Sequence, residues 1–169
     1  MFAAKKFAQM VNTAIDEGID LVVAGAGFSR DIFALGKESG TPVVPIVSSV
    51  KLAKISQRLG AAAIVVEGKE AGGHLGTDQS IKDIIPDIVA AVDIPVIAAG
   101  GILHGQDIAD LINMGVSGVQ MGSRFAASAE ANSAPALKEF YLKAKPEDVV
   151  VIHSPVGLPG RAVRNPWAE

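Results

Sequence analysis

Residues 66–78 read Val-Glu-Gly-Lys-Glu-Ala-Gly-Gly-His-Leu-Gly-Thr-Asp and set His74 among Gly68, Gly72, Gly73 and Gly76, directly after the apolar run 61–66. Glycine has no Cβ, so its backbone reaches positive φ and lets a planar or phosphorylated ligand come close, while an imidazole titrates near neutral pH and can exchange a proton with that ligand. The segment has the composition of a ligand loop carrying an acid–base group, and equally that of a flexible loop with one polar histidine. Glu67 closes the apolar run before the loop. There a carboxylate can accept hydrogen bonds from ligand hydroxyls, or it is a surface or ion-paired charge. Lys69, Glu70 and Asp78 read as solvated loop charges.

Two further segments could hold a phosphate. Ala98-Ala99-Gly100-Gly101-Ile102 and Gln120-Met121-Gly122-Ser123-Arg124-Phe125 each follow a β-branched run, and their glycine and serine amides can aim several N–H donors at one anion, with the Ser123 hydroxyl adding another. The alternative is a pair of tight turns. Arg124 is either a phosphate partner or a solvated helix residue. His104 and His153 lack a glycine setting and read as structural or exposed. Three scattered histidines without clustered carboxylates give no metal-ligand spacing, and the absence of a G-x-S-x-G elbow leaves a serine hydrolase unsupported.

These loops need elements to hold them, and the chain supplies a regular alternation of short apolar runs with amphipathic segments. Phe7, Met10, Val11, Ala14 and Ile15 recur at helical spacing up to Gly18. Strands are expected at 20–24, 43–47, 62–66, 95–99 and 117–121. Between them, Ser29 begins a helix to about Glu38 and Ser49 caps one that ends at Gly60. Pro86 suits a first turn, so the next helix is placed from near Ile84 to Val92; another runs from His104-Gly105-Gln106 through Met114. Ser133-Ala134-Pro135 opens a last helix to about Lys143, and the tail 154–169 is expected to be an extended loop. Continuous apolar strands alternating with helices predict a parallel α/β sheet. Because the ligand-friendly residues all follow strands and no G-x-G-x-x-G is present, a barrel is favoured modestly over an open doubly wound sheet.

Composition sets limits on partners. With 169 residues, 49% of them hydrophobic, the chain is expected to form one domain with a large core. A net charge of −3 with scattered basic residues gives no footprint for nucleic acid or an anionic membrane, and the absence of cysteine excludes disulfides and thiolate chemistry. The opening Met1-Phe2-Ala3-Ala4-Lys5-Lys6 is too short and polar for a secretory signal, and no apolar run is long enough to span a bilayer, so a cytoplasmic location is expected.

Ala71-Gly72-Gly73-His74-Leu75-Gly76, the 95–102 segment and Gly118-Val119-Gln120-Met121-Gly122-Ser123-Arg124-Phe125, in this order, resemble the nitronate monooxygenase family, formerly called 2-nitropropane dioxygenases. The FMN-containing enoyl-acyl-carrier-protein reductase of bacteria is similar in the same blocks, and with the tail 154–161 the likeness runs over nearly the whole chain. The resemblance implies a (β/α)8 barrel of the TIM type carrying FMN, with His74 as the catalytic histidine. It implies cofactor contacts from Glu67, near the ribityl chain, from Gly73 and Met121, and from Gly100, Gly101, Gly122 and Ser123 around the phosphate. His74 would then take a proton from the carbon next to a nitro group, or orient an enoyl thioester in the reductase, with a small-molecule substrate in either case.

Family members begin with three further βα units, so this chain is expected to supply about five of eight, an incomplete barrel. Five strands cannot close, and a free first edge invites association with a second copy or with the missing N-terminal segment. A flavin-free barrel acting on phosphorylated metabolites, and a ligand-binding remnant without activity, are the readings from other classes.

Overall fold

A computed structural model describes residues 7–25, 29–153, 157 and 159–165; the opening hexapeptide, Ala26, Gly27 and Phe28, and parts of the tail lie outside the described residues. The five expected strands all form: β1 (Val22–Ala24), β2 (Val43–Val47), β3 (Ile64–Glu67), β5 (Val96–Ala99) and β6 (Gly118–Gln120). They make one parallel sheet in the order β1-β2-β3-β5-β6. A doubly wound sheet reverses its strand order at a switch point, whereas this order runs one way throughout, as it does around a barrel. The fold is α/β of the barrel type. Among the described residues the sheet is an open arc whose outer strands are β1 and β6.

The helices follow the sequence periodicity: α1 (Phe7–Asp16), α2 (Arg30–Ser39), α3 (Val50–Arg58), α4 (Ile81–Val89), α5 (Gly105–Asn113), α6 (Ser123–Ala126) and α7 (Pro135–Lys143). Their caps are local chemistry. The Ser49 hydroxyl accepts from the Leu52 amide at 3.3 Å, and Asp107 accepts from the amides of Leu103 and His104 at 3.1 and 2.9 Å, which starts α5. Those two bonds hold the exposed Asp107 carboxyl below its ordinary range. Ser29 sits at the N-cap position of α2 without a capping side-chain bond.

Two expectations need correction. Helix α4 begins at Ile81, not near Ile84, because the Ser80 hydroxyl accepts from the Lys82 amide one turn earlier than the proline signal suggests. Pro86 lies inside the helix and is tolerated there on an exposed position, while Ile81, Ile84, Ile85 and Ile88 are buried. The tail, in turn, is not all loop. Residues 159–163 form β8 (Pro159–Val163), the middle strand of a small antiparallel sheet between β4 (Gly73–His74) and β7 (Val149–His153). Pro159 and Gly160 argue against a strand by propensity, but Pro159 is its first residue, where a missing N–H costs least, and the ladder to β7 supplies the rest. The run Val149 to Ile152 that forms β7 is as β-branched as the five strands of the arc.

Alternation along the strands gives the arc two faces. Ile64, Val66, Val96 and Ala98 belong to the core that also holds Ile85, Ile88 and Leu111 from the helices. Val44, Val65 and Ala99, with Ile46, Ala63 and Ile97, form a separate layer on the opposite, concave side. That second layer corresponds to a barrel's interior and decides which residues reach its rim.

Candidate functional site

The strand register brings the candidate residues to one edge. Glu67 pairs with Ala99, and Ala99 with Gln120, so these three end adjacent strands at one level. Directly beyond them the chain leaves the sheet as Gly68, Gly100 and Met121. Glu67 is two residues past Val65 and so shares the concave face with it and Ala99. It is half-buried, and its carboxyl makes no hydrogen bond or ion pair among the described residues. Burial therefore pushes its carboxyl above the ordinary value of 4.5. An unpaired, desolvated carboxyl at a strand end is a group held ready for something outside the chain's own bonding. Gln120, exposed on the same concave face, joins it there; sequence reading alone did not single it out, and only the register identifies it.

Beyond the strand ends, Gly100 and Gly101 have φ of 95° and 70°, a region that side chains resist. A Cβ on Gly100 would lie 2.7 Å from the backbone nitrogen of Ala71, and one on Gly101 would lie 2.8 Å from the Cβ of Glu70. The two glycines are thus required by the stem of the histidine loop, which rests on them. Gly122 differs: its φ is −104°, and a Cβ there would meet nothing within 4 Å. Helix α6 opens here, so the amides of Ser123 and Arg124 precede any intrahelical acceptor, and open space adjoins them. The Met121 side chain packs on the helix-side core and leaves only its backbone at the rim. Arg124 is exposed.

The loop carrying His74 is fastened at several points. The Lys69 amide donates to the Gln79 carbonyl at 2.8 Å, and the Ser48 hydroxyl at the end of β2 donates to the Gly76 carbonyl at 3.1 Å. Leu75 donates to the Pro159 carbonyl at 2.8 Å, and His74 pairs with Gly160 in the small sheet. The expectation that Glu70 is a solvated charge is corrected. Glu70 is half-buried, and its Oε2 accepts from the Ile81 amide at 3.0 Å, the first N–H of α4. His74 is exposed and stands three residues, at most about 11 Å of chain, from Ala71, which packs on the Gly100 turn. His104 occupies the N-cap position of α5, and His153, exposed, ends β7. Among the described residues no group of three or more His, Cys, Asp or Glu is placed to hold a metal.

A cavity of about 700 Å³ lies elsewhere on this assembly, lined by Leu75, Val151, Pro159 and Arg161 together with the charged loop residues. Val151 pairs with Arg161 and Gly73 with Arg161, so all point to one face of the small sheet, while His74, opposite Gly160, points to the other. A ligand filling this cavity would be separated from His74 by the sheet. The chemistry is better placed at the rim of the arc than in this cavity.

The rim fits a phosphate-bearing cofactor such as the FMN that the sequence motifs imply. Amide donors with open space beside them at Gly122 and Ser123, positive-φ turns at Gly100 and Gly101 on the neighbouring strand, and the lone carboxyl of Glu67 one strand further form a continuous band. The nitronate monooxygenase family matches residues 1–169. A carboxyl-CoA dehydrogenase of Mycobacterium tuberculosis is 34% identical over 162 residues, 94% of this chain and 45% of the relative. A probable nitronate monooxygenase of Staphylococcus aureus is 32% identical over 98% of this chain and 49% of its own length. FabK from Thermotoga maritima superposes with a TM-score of 0.92 at 38% identity over 99% of this chain and 53% of FabK. A nitroalkane oxidase from Streptomyces ansochromogenes gives 0.76 at 26% identity over 92% and 48%. The chain spans about half the length of the curated relatives it matches.

Proposed function

The chain belongs to the nitronate monooxygenase family, and from that premise we propose that it works as an FMN-dependent oxidoreductase that oxidises nitroalkanes or their nitronates with dioxygen. The observation that carries the reading is the convergence at one rim: Glu67, Gly100-Gly101 and Gly122-Ser123 end three adjacent strands, and the stem of the His74 loop rests on the middle pair. In this reading the amides around Gly100, Gly101, Gly122 and Ser123, with the Ser123 hydroxyl, bind the phosphate. Gly73 and the Met121 backbone border the cofactor. Glu67 accepts hydrogen bonds from its polyol, which offsets the desolvation that now disfavours the ionised carboxylate. FMN, when bound, supplies the electron acceptor, a role no side chain of this chain can fill.

The chain's own contribution to chemistry is His74. In its neutral form an imidazole carries one ring nitrogen with a free lone pair, which can take the proton from the carbon bearing a nitro group. Anchors at Ser48, Gln79 and Pro159 hold its loop and limit the conformations it must give up on binding substrate. The edges of β1 and β6, unpaired among the described residues, are covered in this reading by a second copy or by further βα segments, since exposed strand edges pair readily.

A second reading, reduction of an enoyl thioester by reduced nicotinamide, is favoured by one observation: FabK is more similar in sequence and superposition than the nitroalkane oxidase. The two separate in one experiment. With FMN supplied, oxygen uptake is followed on a neutral nitroalkane and on the preformed nitronate, and NADH oxidation on an enoyl thioester. The proposal predicts oxygen uptake, with His74→Ala slowing the neutral substrate by roughly 100-fold or more and the nitronate little. Equal slowing of both substrates would remove His74 as base. NADH oxidation without oxygen uptake would transfer the chain to the reductase reading.

A further inference from the structure

Among the described residues, backbone and small-side-chain bonds at Gln79, Ser48 and Pro159 hold the histidine loop. Glu70 is a further anchor. Its carboxylate accepts from the Ile81 amide eleven positions on, which joins the two ends of the loop into a ring together with the Lys69 amide on Gln79. The same side chain is also pressed against the proposed phosphate turn: a Cβ on Gly101 would lie 2.8 Å from the Cβ and 3.1 Å from the Cγ of Glu70. A Cβ on Gly68 would fall 2.6 Å from its Oε2 and 2.4 Å from the Ile81 nitrogen, so the carboxylate and the helix start are packed with no room to spare. Among the described residues Glu70 has no ion-pair partner, and the Ile81 amide is its hydrogen-bonded contact.

We propose that Glu70 is a positioning residue that couples the Gly100-Gly101 turn to the loop presenting His74. Its methylenes lie on Gly101 and its carboxylate holds Ile81. Any displacement of the turn by an anion therefore moves the carboxylate, and with it the closure of the ring that contains His74. A charge-assisted bond to an N-terminal helix amide is among the stronger hydrogen bonds, and a well-packed side chain transmits small shifts instead of absorbing them. The consequence for function rests on the reading above: occupation of the phosphate turn and placement of the base become one event.

The test compares the parent chain with Glu70→Ala and Glu70→Gln, the latter keeping an acceptor oxygen of the same reach. Amide exchange at residues 71–81 and the imidazole resonances of His74 are recorded without cofactor and again with FMN. Glu70→Ala is expected to speed exchange at Ile81 and through the loop by about tenfold or more, the loss of one charged hydrogen bond, and to abolish the change in the His74 resonances on adding FMN. Glu70→Gln, which keeps the acceptor oxygen and loses the charge, is expected to fall between the parent and Glu70→Ala. Loop exchange and His74 resonances in Glu70→Ala that match the parent would overturn the proposal, as would a Glu70→Gln variant as perturbed as Glu70→Ala. If the parent fails to bind FMN, the functional reading falls, and the cofactor-free exchange still decides whether Glu70 holds the loop.

Discussion

Replacing Gly100 by alanine separates what the rim glycines do for the fold from what they do for a ligand. At φ 95° the new side chain meets left-handed backbone strain of about 1–2 kcal/mol. Its Cβ would also sit 2.7 Å from the Ala71 nitrogen and 2.8 Å from the Ala71 Cα, backbone atoms that cannot rotate away, and overpacking of this kind costs about 1–3 kcal/mol. Taken together, about 3 kcal/mol is a central value, enough to lower the melting temperature of a chain this size by roughly 6–12 °C without unfolding it at room temperature. Gly122→Ala is the control. With φ −104° and nothing within 4 Å of the added carbon, it should leave the melting temperature within about 2 °C. It should nevertheless weaken FMN binding, because the methyl group enters the space beside the Ser123 amide. Thermal denaturation followed by circular dichroism gives the first comparison and fluorescence titration with FMN the second. An unchanged melting temperature for Gly100→Ala, or equal losses for the two variants, would refute the division of roles.

Two carboxyls should shape the pH dependence of stability in opposite ways. The folded-state pKa of Glu67 is raised, so the folded protein binds its proton more tightly and stability declines as pH rises from about 4.5 through that raised value. Glu67→Gln should melt higher than the parent above this window and converge with it at lower pH; a constant offset at all pH values would count against an uncompensated carboxyl. The folded-state pKa of Asp107 is lowered, so its contribution to starting α5 is present above about 3.8 and lost as pH falls through the lowered value. Asp107→Ala should be less stable than the parent at pH 7 and lose that deficit on acidification, as read from paired denaturation curves.

Much of this arrangement can be read from residues alone, and the parts that cannot share a physical cause. The strands of the arc are buried on one or both faces, so Val43 to Val47 or Ile64 to Val66 announce themselves by apolar continuity. Ser49 and Gly40 mark helix ends by chemistry that needs no distant partner; Gly40 takes φ 77° at the end of α2. Pro86 is misleading for the opposite reason: its tolerance inside α4 depends on exposure, which the fold decides. β8 contains Pro159, Gly160 and Arg161 and becomes a strand only because β7 and β4 flank it, a non-local pairing with no local signature. In the site, Glu67 and the glycines were legible from their place after apolar runs. Glu70 was not, since its partner Ile81 lies across the loop, and Gln120 gains its position from register with Ala99.

If the rim of this arc holds a phosphate-bearing flavin, as proposed above, FMN should bind more tightly than riboflavin, which differs from it only in lacking the phosphate. Fluorescence titration of the full chain should give FMN the tighter binding by at least tenfold, with the difference shrinking in Gly122→Ala while riboflavin affinity is little changed. Equal affinity for the two flavins, or no binding of either, would contradict the account.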